Sequence, residues 1–297
     1  MDQTPPTPSR EILRIAHPWL LLASILTYAL GAGIANYLGI SINWAVYVLG
    51  QAAVLMLMVS SYFLREYFDR SRMESLRKPG DPPQLTRANL LQIAATTLTI
   101  GAVLNVLLFA QGALNPAAFL TLGLAFVLAM VYAIPPFRLA HRGYGELIST
   151  ILIANLTPAL ACLLQYGELH RLLAFLTFPL TFLTLAAGLA LKLETYAADI
   201  RVERKNMLTR LGWQRGMVFH NLLILIGFLL LGTARLAGLP WNLTWPGLLV
   251  LPVGLFQIIQ MQGIANGSKP RWRLLAITAA ATLALTVYFI NLALWTG

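Results

Sequence analysis

Charge is scarce in this sequence. Only 11% of the 297 residues are Asp, Glu, Lys or Arg, against about a quarter in a soluble domain, and that shortage excludes an ordinary water-soluble fold. Cysteine is scarcer still. Cys162 is the only one, which excludes intramolecular disulfides and cysteine-ligated metal sites. A cleavable signal is not expected, because MDQTPPTPSREILRIAHP is polar and proline-rich and the apolar run after it is long enough to span. What remains is apolar: hydrophobic residues make up 58% of the chain and the mean hydropathy is +0.71. The expected class is an all-α polytopic membrane protein, with residues 1–17 a polar tail and 18–297 a single transmembrane domain around a central cavity.

Nine apolar stretches have spanning length, at roughly 18–39, 43–66, 88–109, 116–134, 145–165, 171–192, 216–237, 244–264 and 273–295. Turn chemistry separates several of them, at Asn115-Pro116, Pro135-Pro136, Leu239-Pro240 and Lys269-Pro270. Strands do not fit, because a barrel strand is only about ten residues long. Charge placement sets the orientation. With the N-terminus on the cytoplasmic side, all of the 21 Lys and Arg except Arg171 and Arg235 fall inside, a strong positive-inside bias. This accounts for the formal charge of +10 without nucleic acid. Of the 11 acids only Glu168 falls outside. Acids contribute little to topology, so their one-sidedness points to polar chemistry on the inner face.

Three inner loops hold that chemistry. The loop after the second span reads SYFLREYFDRSRMESLRKPGDPP, where Glu66 and Asp69 can share a helix face and Glu74 lies further along. Glu66 with Arg70, and Arg70 with Glu74, also fit plain i,i+4 ion pairs, which leave Asp69 unexplained. The loop after the fourth span, YAIPPFRLAHRGYGE, joins Pro135-Pro136 to a basic patch of Arg138, His141 and Arg142, which also fit as topology-setting cations. The third, KLETYAADIRVERKNMLTRLG, carries Asp199 and Glu203 four residues apart. If the preceding apolar helix continues, both lie on one face. Paired carboxylates at a membrane helix end can hold a divalent cation and, through it, a phosphorylated ligand. They can equally be solvated surface acids among Arg201, Arg204 and Lys205. Read together, the loops run acid, base, acid, which suits Mg²⁺ bridging a phosphorylated ligand whose other oxygens meet Arg and Lys.

At these residues the chain resembles the UbiA superfamily of intramembrane prenyltransferases, over nearly its whole length. YAIPPFRLAHRGYGE is similar to the loop after the fourth span in menaquinone-, plastoquinone- and chlorophyll-type members. REYFDRSR with RKPGDPP resembles the first aspartate motif, and ADIRVERK with RLG resembles the second. The chain departs from the family at named positions. In the first motif, Asn-x-x-x-Asp-x-x-x-Asp, it reads Arg65, Asp69 and Met73, so only the middle carboxylate is present. The second motif reads Asp199 and Glu203, and the loop after it lacks the family's Gly-Lys-x-Thr segment.

The resemblance implies Mg²⁺ held between the two motifs, with Asp69, Asp199 and Glu203 as metal and catalytic residues and Glu66 as a further metal candidate. It implies that Arg138, Arg142 and Lys205 meet diphosphate oxygens, and that the partners are a polyprenyl diphosphate, a small aromatic or lipid acceptor, and membrane lipids. Tyr132, Tyr67 and Tyr196 can present π faces to an allylic cation, or belong to the interfacial aromatic belt. Asn105, Asn155, Gln257 and Gln260 can line the cavity or bond between helices. Two functions stay open: a prenyltransferase of quinone-precursor-like substrates, and a non-catalytic homologue that binds a lipid or partner.

Overall fold

A computed structural model describes residues 8–73, 85–201 and 203–297. The side chain of Arg70, Glu74 and the basic-proline segment at 77–83 lie outside the described residues. The described chain is helical throughout. In order it forms α1 (Pro8–Ile15), α2 (Pro18–Tyr37), α3 (Trp44–Met73), α4 (Arg87–Ala110), α5 (Pro116–Ala133), α6 (Gly145–Ile151), α7 (Thr157–Tyr166) and α8 (Arg171–Leu193). It continues with α9 (Tyr196–Arg201), α10 (Met207–Leu211), α11 (Trp213–Thr233), α12 (Trp241–Leu248), α13 (Leu251–Ala265) and α14 (Trp272–Thr296). Among the described residues nine helical stretches are long and apolar enough to cross a membrane, in register with the nine expected spans. The chain is therefore an integral, multi-pass membrane protein. Part of the expected polar tail is itself helix, as α1 shows.

Local chemistry accounts for the breaks. The fifth and eighth spans are each built from two helices, α6–α7 and α12–α13. Between α6 and α7 the helix widens to a π turn at Leu152–Leu156. Pro158 has no N–H to offer the Ala154 carbonyl four residues back, and the Leu152 carbonyl accepts both the Thr157 N–H and, at 2.8 Å, the Thr157 hydroxyl. On α4 and α5 the apolar side chains point outward: Val106, Phe109, Phe119 and Leu120 are all more than 60% exposed. This surface is stable only against acyl chains. Inside, small residues let helices approach. A Cβ on Gly31 of α2 would run into the backbone of Pro158 on α7. Asn155 bonds Thr181, Gln257 bonds Thr282 and Gln260 bonds Thr278, all between helices, whereas Asn105 donates to Gly101 of its own helix.

Candidate functional site on the inner face

The third inner connection does not continue the span before it. Helix α8 stops at Leu193, and α9 ends in a left-handed turn with Glu203 at φ 52°. The Arg204 N–H donates to the Asp199 carbonyl at 2.7 Å and the Glu203 N–H to the Ile200 carbonyl at 3.1 Å. That is the paired 6→1 and 5→2 bonding of a Schellman cap, with Glu203 in the position glycine usually takes. The expectation that Asp199 and Glu203 share a continuous helix face is therefore corrected. They are joined by a helix end, which turns the chain between them.

Both residues nevertheless border one open depression of about 740 Å³, with Arg142, Arg204, Lys205 and Arg210. Asp199 is buried. Its Oδ2 accepts from the Thr195 hydroxyl at 3.0 Å and from Asn206 Nδ2 at 2.7 Å. Asn206 is itself fixed, because it caps α10 in a reciprocal box with Thr209: each side chain accepts the other's backbone N–H at 2.8 Å. The rigidity of a five-residue helix thus passes directly to the carboxylate.

Asp69, near the end of α3, meets an imidazole and a guanidinium. His141 Nε2 lies 2.9 Å from Oδ1 and Arg204 Nη2 lies 3.4 Å from Oδ2. Both oxygens are engaged. Among the described residues no group of three or more His, Cys, Asp or Glu side chains is placed to hold a metal ion. Glu66 sits on the same helix, half-buried and with contacts of its own. Arg138 donates to the Phe68 carbonyl at 3.0 Å and Arg142 to the Pro136 carbonyl at 3.0 Å, so both guanidinium groups brace the inner loops. Further ties join the same loops: Arg210 donates to the Arg142 carbonyl at 3.1 Å and the Met207 N–H to Glu146 at 3.1 Å.

Beside this network lies a cavity of about 500 Å³, between the inner ends of α2, α3, α6 and α8. Its charged lining is Arg14, Arg65, Lys192, Arg204 and Glu146. Tyr132 also lines it. Its hydroxyl accepts from Arg65 Nη1 at 2.9 Å, and the guanidinium stands 5.7 Å from the ring centroid. The Tyr67 ring is occupied by Arg87 at 4.7 Å, and Tyr196 lies at the start of α9. His17 completes the wall with its ring edge-on to Tyr62. Burial first, and then the charges of Arg65, Lys192, Arg204 and Arg14, lower its pKa to about 3, so the imidazole is neutral. A narrow apolar slot adjoins the cavity and shares Trp19, Leu20, Thr184, Gly188 and Leu191 with it. The slot runs on between α2, α8 and α14, past Leu26, Leu283 and Val287. Arg14, His17, Glu146, Lys192 and Asn206 were not singled out from the sequence as site residues. Lys192 lies in the last turn of α8, where a lysine is ordinary helix-end chemistry, so the sequence did not mark it.

The fold and site define a helical membrane protein with a cationic inner cavity opening into an apolar slot. No protein-family model and no curated protein matches the sequence. Solved structures do. The chain is similar to a UbiA homologue from Archaeoglobus fulgidus bound to GPP and Mg²⁺, at 20% identity and a TM-score of 0.67, covering 97% of this chain and 100% of that one. The same homologue bound to DMAPP and Mg²⁺ gives a TM-score of 0.66 at 20% identity, with 94% of this chain and 99% of that one covered. A digeranylgeranylglyceryl phosphate synthase gives a TM-score of 0.62 at 14% identity, with 98% of each chain covered. The chain has the UbiA fold.

Proposed function

We propose that this chain is a UbiA-superfamily intramembrane prenyltransferase, moving a prenyl group from an isoprenyl diphosphate to an aromatic or lipid-pathway acceptor, quinone-precursor-like in kind. The observation that carries this reading is the cationic cavity of about 500 Å³, matched to the polyanionic head of an isoprenyl diphosphate, with a small apolar recess of about 40 Å³ beside it. The solved structures with this fold that hold GPP or DMAPP with Mg²⁺ support the same ligand class. In the reaction the C–O bond of the allylic diphosphate breaks, its electron pair leaves with diphosphate, the acceptor attacks the allylic carbon, and a proton leaves the acceptor. Arg65, Lys192 and Arg204 hold the departing negative charge, and Arg142 and Lys205 border its way out to the inner face. Tyr132 is held by Arg65 as part of a wall that keeps water from the cation.

Mg²⁺, when bound, adds neutralisation of the leaving group. Asp199 and Glu203, two carboxylates on one depression, are the residues that would hold it, while Asp69 is engaged by His141 and Arg204. The inner face is read as cytoplasmic and the membrane as the cell inner membrane, from the charge bias of the loops. The test is purified protein in lipid nanodiscs with Mg²⁺, a series of prenyl diphosphates and a panel of acceptors. Diphosphate release that depends on Mg²⁺ and drops at least a hundredfold in Asp199→Ala is expected. No release at any chain length, with donor binding unchanged in Asp199→Ala, would leave the second reading. That reading, a non-catalytic lipid-binding homologue, is favoured by the contacts of His141 and Arg204 with Asp69 and by Arg65 in place of a neutral ligand.

A further inference from the structure

The cavity beneath α1 is lined by four cationic side chains, Arg14, Arg65, Lys192 and Arg204, and by one carboxylate, Glu146. His17 adds no charge. Glu146 accepts the Met207 N–H through one oxygen and the Asp69 carboxylate is shared between His141 and Arg204, while both carboxylates also act on Arg65 at longer range. Neither Arg65 nor Lys192 forms an ion pair with a described residue. Arg65 spends one nitrogen on the Tyr132 hydroxyl, while its buried Nε has no hydrogen-bond partner among the described residues. Cations without a directly bonded anion at the buried ends of apolar helices are costly unless an anion joins them. Guanidinium donors with no protein partner are the groups that bind phosphate oxygens directly.

From this arrangement we infer that Arg65, Lys192 and Arg204 form a metal-free seat for a polyanionic head group. The seat stands where Arg65 replaces the neutral ligand of the first motif. Asp69 then serves as a positioning residue, holding Arg204 at the cavity rim through its 3.4 Å contact instead of ligating an ion. The inference rests on the proposed prenyl diphosphate reading but separates its two halves. The head group is captured by the fixed cations of the cavity, so capture would not require Mg²⁺, which Asp199 and Glu203 would hold at the neighbouring depression.

The experiment measures binding of geranyl diphosphate, geranyl monophosphate and geraniol to the full chain in nanodiscs, with EDTA and with Mg²⁺. Geranyl diphosphate is expected to bind in EDTA within about threefold of its affinity in Mg²⁺. Affinity should fall at least tenfold from diphosphate to monophosphate and further to geraniol, as head-group charge is lost. Arg65→Gln and Lys192→Gln should each weaken EDTA binding tenfold or more, Arg65→Lys should recover part of the loss, and Arg171→Gln at the outer end should change nothing. Binding seen only with Mg²⁺ would overturn the seat and leave the prenyltransferase reading standing. So would EDTA binding that survives in both Arg65→Gln and Lys192→Gln. EDTA binding that depends on Arg65, with no transfer to any acceptor, would keep the seat and sink the enzyme. No binding in either condition would overturn both.

Discussion

His17 shows how much one residue is shaped by its surroundings. Its backbone is left-handed at φ 49°, it stands just before α2, and its ring faces a cavity rich in positive charge. The folded-state pKa of about 3 lies below the ordinary 6.5, with burial the larger cause and the neighbouring cations the smaller. Between those two values the unfolded chain takes up a proton that the folded chain refuses. The stabilisation is complete above pH 6.5 and is lost as pH falls through the window. From pH 6.5 to 5 the loss amounts to up to about 2 kcal/mol. The melting temperature of the wild type should therefore drop more steeply over that range than that of His17→Gln. Parallel profiles for the two proteins would show that the imidazole is not buried as described.

At the scale of elements, α9 and α10 decide where Asp199 sits. Neither is long enough to be stable alone. What holds them is Asn206, which closes the cap of α10 and grips Asp199 at 2.7 Å. Asn206→Ala should cost about 1–2 kcal/mol, the value of a lost cap plus a lost hydrogen bond to a buried carboxylate. Hydrogen exchange at residues 207–211 should speed up accordingly. Asn206→Ser keeps a capping oxygen but not the amide donor, so it should restore protection of α10 while leaving Asp199 without that bond. If α10 stays protected in Asn206→Ala, the cap is not what orders it. The nine spans were legible in the sequence because apolar run length is a direct demand of the bilayer. The break after Leu193 was not. KLETYAADIR has ordinary helix-forming residues, and the left-handed Glu203 is a position where sequence statistics expect glycine.

For the whole molecule, the bundle has an apolar flank on α4 and α5 and a charged inner end. From the charge bias we propose that the inner end faces the cytoplasm. In a Cys162→Ala background, Leu169→Cys should react with a membrane-impermeant maleimide in intact cells, and Lys205→Cys only after permeabilisation. The opposite pattern would invert the topology.

Fold class and span number followed from composition and run length alone, since a bilayer leaves the backbone few alternatives to the helix. The clustering of the acids in the loops was readable in the same way, as charge between apolar runs, whereas the two aspartate motifs were legible only through the family resemblance. Which of those residues meet was decided only by tertiary structure. Asp69 was read as a carboxylate facing other carboxylates, yet folding brings His141 and Arg204 to it across gaps of 72 and 135 positions. Lys192, Arg65 and Arg14 come from α8, α3 and α1, and nothing in the local pattern of any one says that they border a common cavity. Electrostatic environment depends on distance in space, and packing of separate helices sets that distance.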